Sequence, residues 1–159
     1  MIQTKNWDIV CKESPNIEFS HIIQQSCLHL KDIYSKLNFE KPSPIQIATI
    51  PVGLASKNII AQSKSGTGKT IAFLSIVFGK IDLISQKNKL QVIIVLPTRE
   101  LANQVFLQAR KINNFLDKSK QINIYSVIGG IPIKQDVDQL KNSKNFPEII
   151  IGTSGRINE

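Results

Sequence analysis

The stretch Ser63-Lys64-Ser65-Gly66-Thr67-Gly68-Lys69-Thr70 constrains the fold of this chain more than any other. A short apolar run of strand type, Asn58-Ile59-Ile60-Ala61, precedes it, and a longer apolar run of buried-helix type, Ile71 to Phe78, follows. Strand, small-residue loop and helix in that order read as a cradle for phosphate. Gly66 and Gly68 permit the positive φ that brings successive N–H groups close to one anion, and the helix opened by Lys69 and Thr70 adds unpaired amides and the positive end of its dipole. In such a cradle Ser65, Gly66, Thr67 and Gly68 surround the phosphates of a nucleotide, Lys69 lies near the outer ones and the Thr70 hydroxyl faces a magnesium ion. Lys69 and Thr70 are therefore the candidate catalytic pair, with Thr70 the candidate metal ligand. The bland alternative is a lysine-tipped Gly-Ser loop with no ligand, and the agreement of spacing, residue types and flanks speaks against it.

The rest of the chain alternates between the two periodicities. Residues 1–18 are mixed, with a turn signal at Ser14-Pro15-Asn16, and read as a poorly ordered arm with Trp7 a loose anchor. Residues 19–159 form the folded part. From Phe19 to Leu37 the apolar spacing suggests helix with a break near Ser26 to Leu28. Pro42 and Pro44 hold an extended loop and place a helix start near Ile45, and Pro51 limits that helix. A glutamine fixed there, Gln46, presents one donor and one acceptor, the pair that matches the N6 and N7 edge of adenine, while Phe39 stacks on the ring or caps the core.

Leu90 to Leu96 reads as a central strand, nearly continuously apolar as parallel strands covered on both faces are. At its carboxyl end Pro97-Thr98-Arg99-Glu100-Leu101-Ala102 leads into a helix with Leu101, Val105, Ala109, Ile112 and Leu116 at helical spacing. Ile122 to Ile128 alternates as a strand and ends at Gly129-Gly130, where a backbone can approach a phosphate closely. Ile133, Val137 and Leu140 line one face of a short helix, with Lys134 and Lys141 outside. Glu148 to Gly152 is a further buried strand, followed by Thr153-Ser154-Gly155-Arg156. Strands and helices in this order give a three-layer α/β fold with a mostly parallel sheet, right-handed crossovers and a ligand site at the carboxyl ends of the strands.

With 42% hydrophobic residues among 159 and no apolar run near the length of a membrane span, the chain holds enough material for one core and none for a bilayer. Cys11 and Cys27 make no metal or redox spacing and the N-terminus has no signal-peptide core, so an intracellular site is the default. The formal charge of +8 points weakly to a polyanion. It is spread evenly over both halves, and only Arg99, Arg110 and Arg156 of the 20 basic residues are arginine, so charge alone does not argue for nucleic acid.

Four segments taken together carry a resemblance to the DEAD-box RNA helicases. The loop has the form small-x-x-Gly-x-Gly-Lys-Thr, with Ser63 where the general P-loop signature has glycine. The run Phe39 to Gln46 resembles the family's Q motif, with Asn38 in place of its glycine, and Phe19 stands for the lone aromatic residue upstream. Pro97 to Ala102 matches the family's Pro-Thr-Arg-Glu-Leu-Ala at every position. Thr153 to Arg156 is similar to its Thr-Pro-Gly-Arg, with Ser154 replacing proline. The resemblance implies the amino-terminal part of a first RecA-like domain, with ATP and Mg as cofactors. It implies RNA as partner, held through its sugar-phosphate backbone by Thr98, Arg99, Gly129, Gly130, Thr153, Gly155 and Arg156. Residues 128–136 and Lys64 are similar to the Gemin3-type members.

The implied activity is ATP-dependent remodelling or local unwinding of RNA. The family's Asp-Glu-Ala-Asp segment, its Ser-Ala-Thr motif and its second domain with arginine fingers are not in this sequence, so the resemblance leads us to expect a truncated domain. The chain by itself is expected to be marginally stable and to hydrolyse no ATP. The alternative from another class is a short, non-enzymatic nucleotide- or RNA-binding product. A P-loop enzyme acting on small molecules leaves Gln46 and the 97–102 hexapeptide without a purpose.

Overall fold

The computed structural model describes residues 18–23, 34–82, 85–141 and 143–159. The arm with Trp7, both cysteines and the helix break expected near Ser26 to Leu28 lie outside the described residues. The chain divides into two compact units, Met1–Gly79 and Lys80–Glu159.

The first unit is helical around the phosphate loop. Helix α1 (Phe19–Ile22) buries Phe19, whose ring stacks on Tyr34 with centroids 3.8 Å apart. Helix α2 (Pro44–Leu54) begins with proline at its first position, where the missing N–H costs nothing, behind an extended Ser43. It does not stop at Pro51. The helix runs on to Leu54 because Ile50 and Leu54 are both buried, and that packing outweighs the one backbone bond that Pro51 cannot donate. Helix α3 (Lys69–Lys80) opens at the lysine of the phosphate loop and packs Ile71, Ala72, Leu74 and Phe78 inward. Its Ser75 hydroxyl is bonded to the Tyr34 hydroxyl and donates to the Ile71 carbonyl, so the buried oxygen is satisfied.

One expectation fails in this unit. Asn58 to Ala61 is not a strand: the segment has no ladder partner among the described residues, and Ile60 is 86% exposed. A strand exists only as one member of a hydrogen-bonded pair, and its own residues cannot supply the other member.

The second unit is built on a parallel sheet. Strands β1 (Val92–Leu96), β2 (Ile124–Val127) and β3 (Ile149–Thr153) lie in the order β1-β3-β2, both pairings parallel. β1 is thus an edge and not the central strand expected from its composition, and Ile93 and Val95 on one face are 51% and 54% exposed. The central place belongs to β3, where Ile149 to Gly152 are all buried. Helix α4 (Arg99–Asn114) packs across all three strands through Ala102, Val105, Ala109 and Ile112, while Leu101, assigned to that stripe from spacing, is exposed.

Helix α5 (Ile133–Lys141) reverses the expected pattern. Ile133 and Val137 face solvent and the buried residue is Asp136, because that carboxylate has a hydroxyl and a guanidinium to bond inside. A short helix α6 (Ser154–Ile157) closes the unit.

Glu148, read only as the first residue of a strand, staples the amino-terminal ends of the sheet. Its carboxylate is buried and accepts from the Asn88 N–H at 2.6 Å and the Asn123 N–H at 2.7 Å, the segments leading into β1 and β2. No helix among the described residues is long and apolar enough to cross a membrane.

Candidate functional site

In the first unit the phosphate loop has the backbone that its glycines announced, with Gly66 at φ +77° and Gly68 at φ +91°. The two glycines differ in their surroundings. A Cβ on Gly66 would meet nothing within 4 Å, whereas one on Gly68 would lie 2.6 Å from Gln46 Nε2 and 3.2 Å from Ser43 Oγ. Gln46 is only 3% exposed and is held at both ends of its amide. Its Oε1 accepts from the Ser43 N–H at 2.8 Å, capping the start of α2, and its Nε2 donates to the Gly68 carbonyl at 3.2 Å. Each of those atoms keeps capacity for one further bond, an acceptor on Oε1 and a donor on Nε2. The sequence indicated the donor and acceptor; that the acceptor is partly spent capping α2 and the donor partly spent joining α2 to the phosphate loop only the structure shows.

The loop closes on its own groups. Lys69 Nζ donates to the Ser63 and Lys64 carbonyls, each at 2.6 Å. The Thr67 hydroxyl donates to the Lys64 carbonyl at 2.8 Å and shares a 2.6 Å bond with the Ser63 hydroxyl. Thr70 sits half-buried in the first turn of α3, and Ser65 is exposed. Phe39 is exposed beyond a turn in which Asn38 takes φ +58°, the left-handed conformation that asparagine tolerates better than most residues, so the turn survives without glycine. Phe19, in contrast, is a core residue, its ring occupied by Tyr34.

In the second unit the carboxyl ends of the strands gather the remaining candidates. Thr98 caps α4, its hydroxyl accepting from the Leu101 N–H at 3.2 Å. The Arg99 side chain lies over the two glycines: a Cβ on Gly129 would stand 3.0 Å from Arg99 Nη2, and one on Gly130 3.4 Å from Nη1. Arg99 is exposed and has no acidic partner among the described residues. Thr153 ends β3 in register with Leu96, just before the Pro97-Thr98 turn, and Gly155 follows in open space. Thr98, Arg99, Gly129, Gly130, Thr153 and Gly155 therefore share one end of the sheet.

Arg156 is placed differently. Its Nε donates to Asp136 Oδ2 at 2.8 Å, Nη1 to Glu159 Oε2 at 2.9 Å and Nη2 to the Ile131 carbonyl at 2.7 Å. Its side chain is 8% exposed. Tyr125 completes the network, its hydroxyl donating to Asp136 Oδ1 at 2.8 Å. Burial, and then the bond to the Asp136 carboxylate, push the Tyr125 phenol up to about 12. The Asp136 carboxylate also raises the Arg156 guanidinium further above its ordinary value. Neither Asp136 nor Tyr125 stood out in the sequence, although an acidic residue inside an otherwise apolar stripe, at three and four positions from Ile133 and Leu140, is a signal of a buried charge with a partner.

A family model described as DEAD/DEAH box helicase matches residues 43–159. The chain belongs to that family. The ATP-dependent RNA helicase CshA of Listeria monocytogenes is 41% identical to it over 123 residues, 77% of this chain and 22% of the relative. The DEAD-box ATP-dependent RNA helicase 8 of Oryza sativa subsp. japonica is 41% identical over 128 residues, covering 80% of this chain and 23% of its own length. The chain thus spans less than a quarter of either relative. Among solved structures, Mss116p bound to single-stranded RNA and AMP-PNP superposes with a TM-score of 0.74 at 29% identity, over 92% of this chain and 30% of that one. A DEAD box protein from the hyperthermophile Methanococcus jannaschii gives 0.71 at 29% identity, over 88% and 35%. The α/β fold with its parallel sheet is that of the RecA-like helicase domain these structures contain.

Proposed function

We propose that this chain supplies the ATP-binding cradle and part of the RNA-binding surface of an ATP-dependent DEAD-box RNA helicase. The observation that carries the reading is the junction of Gln46 with the phosphate loop: a buried amide, bonded to Gly68 of a loop with two positive-φ glycines, stands with one donor and one acceptor to spare. That pair suits the N6 and N7 edge of adenine, and the adjoining amides at the start of α3 suit phosphate. Phe39 lies exposed on the loop that leads to Gln46, where a ring can stack. Ser65, Gly66, Thr67 and Gly68 line the phosphates. Lys69 then exchanges the Ser63 and Lys64 carbonyls for phosphate oxygens, a charge-assisted bond in place of two neutral acceptors.

Thr70 offers a hydroxyl oxygen, the hard donor that Mg2+ prefers. When bound, the ion neutralises charge on the outer phosphates. On the RNA side Thr98, Arg99, Gly129, Gly130, Thr153 and Gly155 form a surface for the sugar-phosphate backbone, and Arg99 is its free charge. Backbone contacts of this kind position a strand without reading its sequence.

The test uses the full-length helicase. Gln46→Ala is expected to abolish a preference for ATP over GTP, and Arg99→Ala to weaken binding of all RNA sequences while lowering the salt slope by about one unit. Equal use of both nucleotides by the unaltered protein, or an Arg99→Ala effect confined to one base, sinks the reading.

A further inference from the structure

We propose that Asp136 is a positioning residue of the RNA-binding surface, and that Arg156 serves with it as a buried clamp on the Gly129-Gly130-Ile131 backbone instead of as a phosphate ligand. The inference deepens the RNA-backbone reading and rests on it. Asp136 is 3% exposed in the first turn of α5, on a helix whose Ile133 and Val137 are left in solvent. Burying a carboxylate while exposing two branched aliphatic residues is unfavourable unless the charge is fully paired. Here it is, with Tyr125 of β2 on one oxygen and Arg156 Nε on the other.

The guanidinium then reaches from Asp136 to the Ile131 carbonyl at 2.7 Å, the residue next to the two glycines. β2, α5 and the end of β3 are tied in this way to one short stretch of backbone. That stretch is the one beside which Arg99 lies, its Nη2 3.0 Å from where a Gly129 Cβ would stand, so the clamp and the exposed guanidinium border the same backbone. The charges divide accordingly. Arg156 is neutralised and enclosed, and Arg99 is exposed without an acidic partner among the described residues.

Asp136→Asn in the full-length protein separates this clamp from the opposite reading, in which Asp136 only competes with RNA for a phosphate-binding Arg156. The substitution keeps the volume and removes one negative charge, so a competitor's loss strengthens RNA binding and steepens its salt dependence. The clamp predicts the reverse sign. RNA affinity falls about tenfold for every sequence, the worth of one charge-assisted hydrogen bond, with the salt slope unchanged. Hydrogen exchange at the amides of Gly129, Gly130 and Ile131, measured without RNA, accelerates by a similar factor while the β3 amides keep their protection.

Tyr125→Phe, which keeps both charges, shows the same local acceleration at smaller size and serves if the asparagine variant does not fold. Unchanged exchange in the loop, a rise in RNA affinity or a steeper salt slope overturns the clamp. Should Arg99→Ala leave RNA binding intact, the RNA reading fails on its own, and the exchange measurement still decides whether Asp136 holds the loop.

Discussion

Replacing Gly68 by alanine tests how the nucleotide cradle is assembled, because the structure separates two costs that a motif treats alike. Gly66 and Gly68 both have positive φ, so an alanine at either one carries the backbone penalty of the left-handed region, about 1–2 kcal/mol. At Gly66 nothing lies within 4 Å and the penalty ends there. At Gly68 the new methyl would stand 2.6 Å from Gln46 Nε2, closer than carbon and nitrogen approach, so the glutamine must leave. Its bond to the Gly68 carbonyl is lost, about 1 kcal/mol, and the cap that its Oε1 gives the Ser43 N–H goes with it, about 1 kcal/mol more. Gly68→Ala is therefore expected to cost about 3–4 kcal/mol and Gly66→Ala about 1–2.

The loss is measured as unfolding free energy by denaturant titration together with affinity for a fluorescent ATP analogue, since a loop that relaxes out of the cradle shifts the cost from stability to binding. In a Gln46→Ala background Gly68→Ala keeps only its backbone part, so the double variant falls short of additivity by about 2 kcal/mol. Equal costs at the two glycines, or additive effects of Gln46→Ala and Gly68→Ala, refute the contact as the cause.

Three further outcomes are expected. Glu148→Ala leaves the half-buried Asn88 and Asn123 N–H groups without an acceptor and should lower stability by about 2–3 kcal/mol, whereas Glu148→Gln, which keeps one acceptor oxygen, loses about half of that; denaturant titration of the two variants separates them. Tyr125, pushed up to about 12 from the ordinary phenol value of 10, is favoured in its neutral form by folding. Its contribution is complete below pH 10 and lost as pH rises from 10 through 12, so unfolding followed across that window should show a decline that Tyr125→Phe lacks. Arg156→Lys offers one ammonium where the guanidinium bonds Asp136 and the Ile131 carbonyl at once, and should lower the midpoint of thermal or denaturant unfolding despite the conserved charge.

Local chemistry was legible in the sequence wherever a residue type admits few conformations. Gly66 and Gly68 required positive φ and have it, Pro44 could open a helix and does, and Pro97 to Ala102 joined β1 to α4 as expected. The carboxyl-end location of Arg99, Gly129 and Thr153 followed from strand direction in a parallel sheet. What a residue touches was not legible, because it depends on groups distant in the chain. β1 and β3 are both short and apolar, and only the pairing order makes one an edge and the other the centre. Asn58 to Ala61 carries a strand's composition without a strand's partner among the described residues.

Asp136 is the clearest case. Its helix has an apolar stripe that hydrophobicity alone turns inward, and the carboxylate went inward because Arg156, 20 residues later, and Tyr125, on β2, met it there. A charge is buried only where groups that bond it are already held, and where that is the case is a property of the tertiary structure.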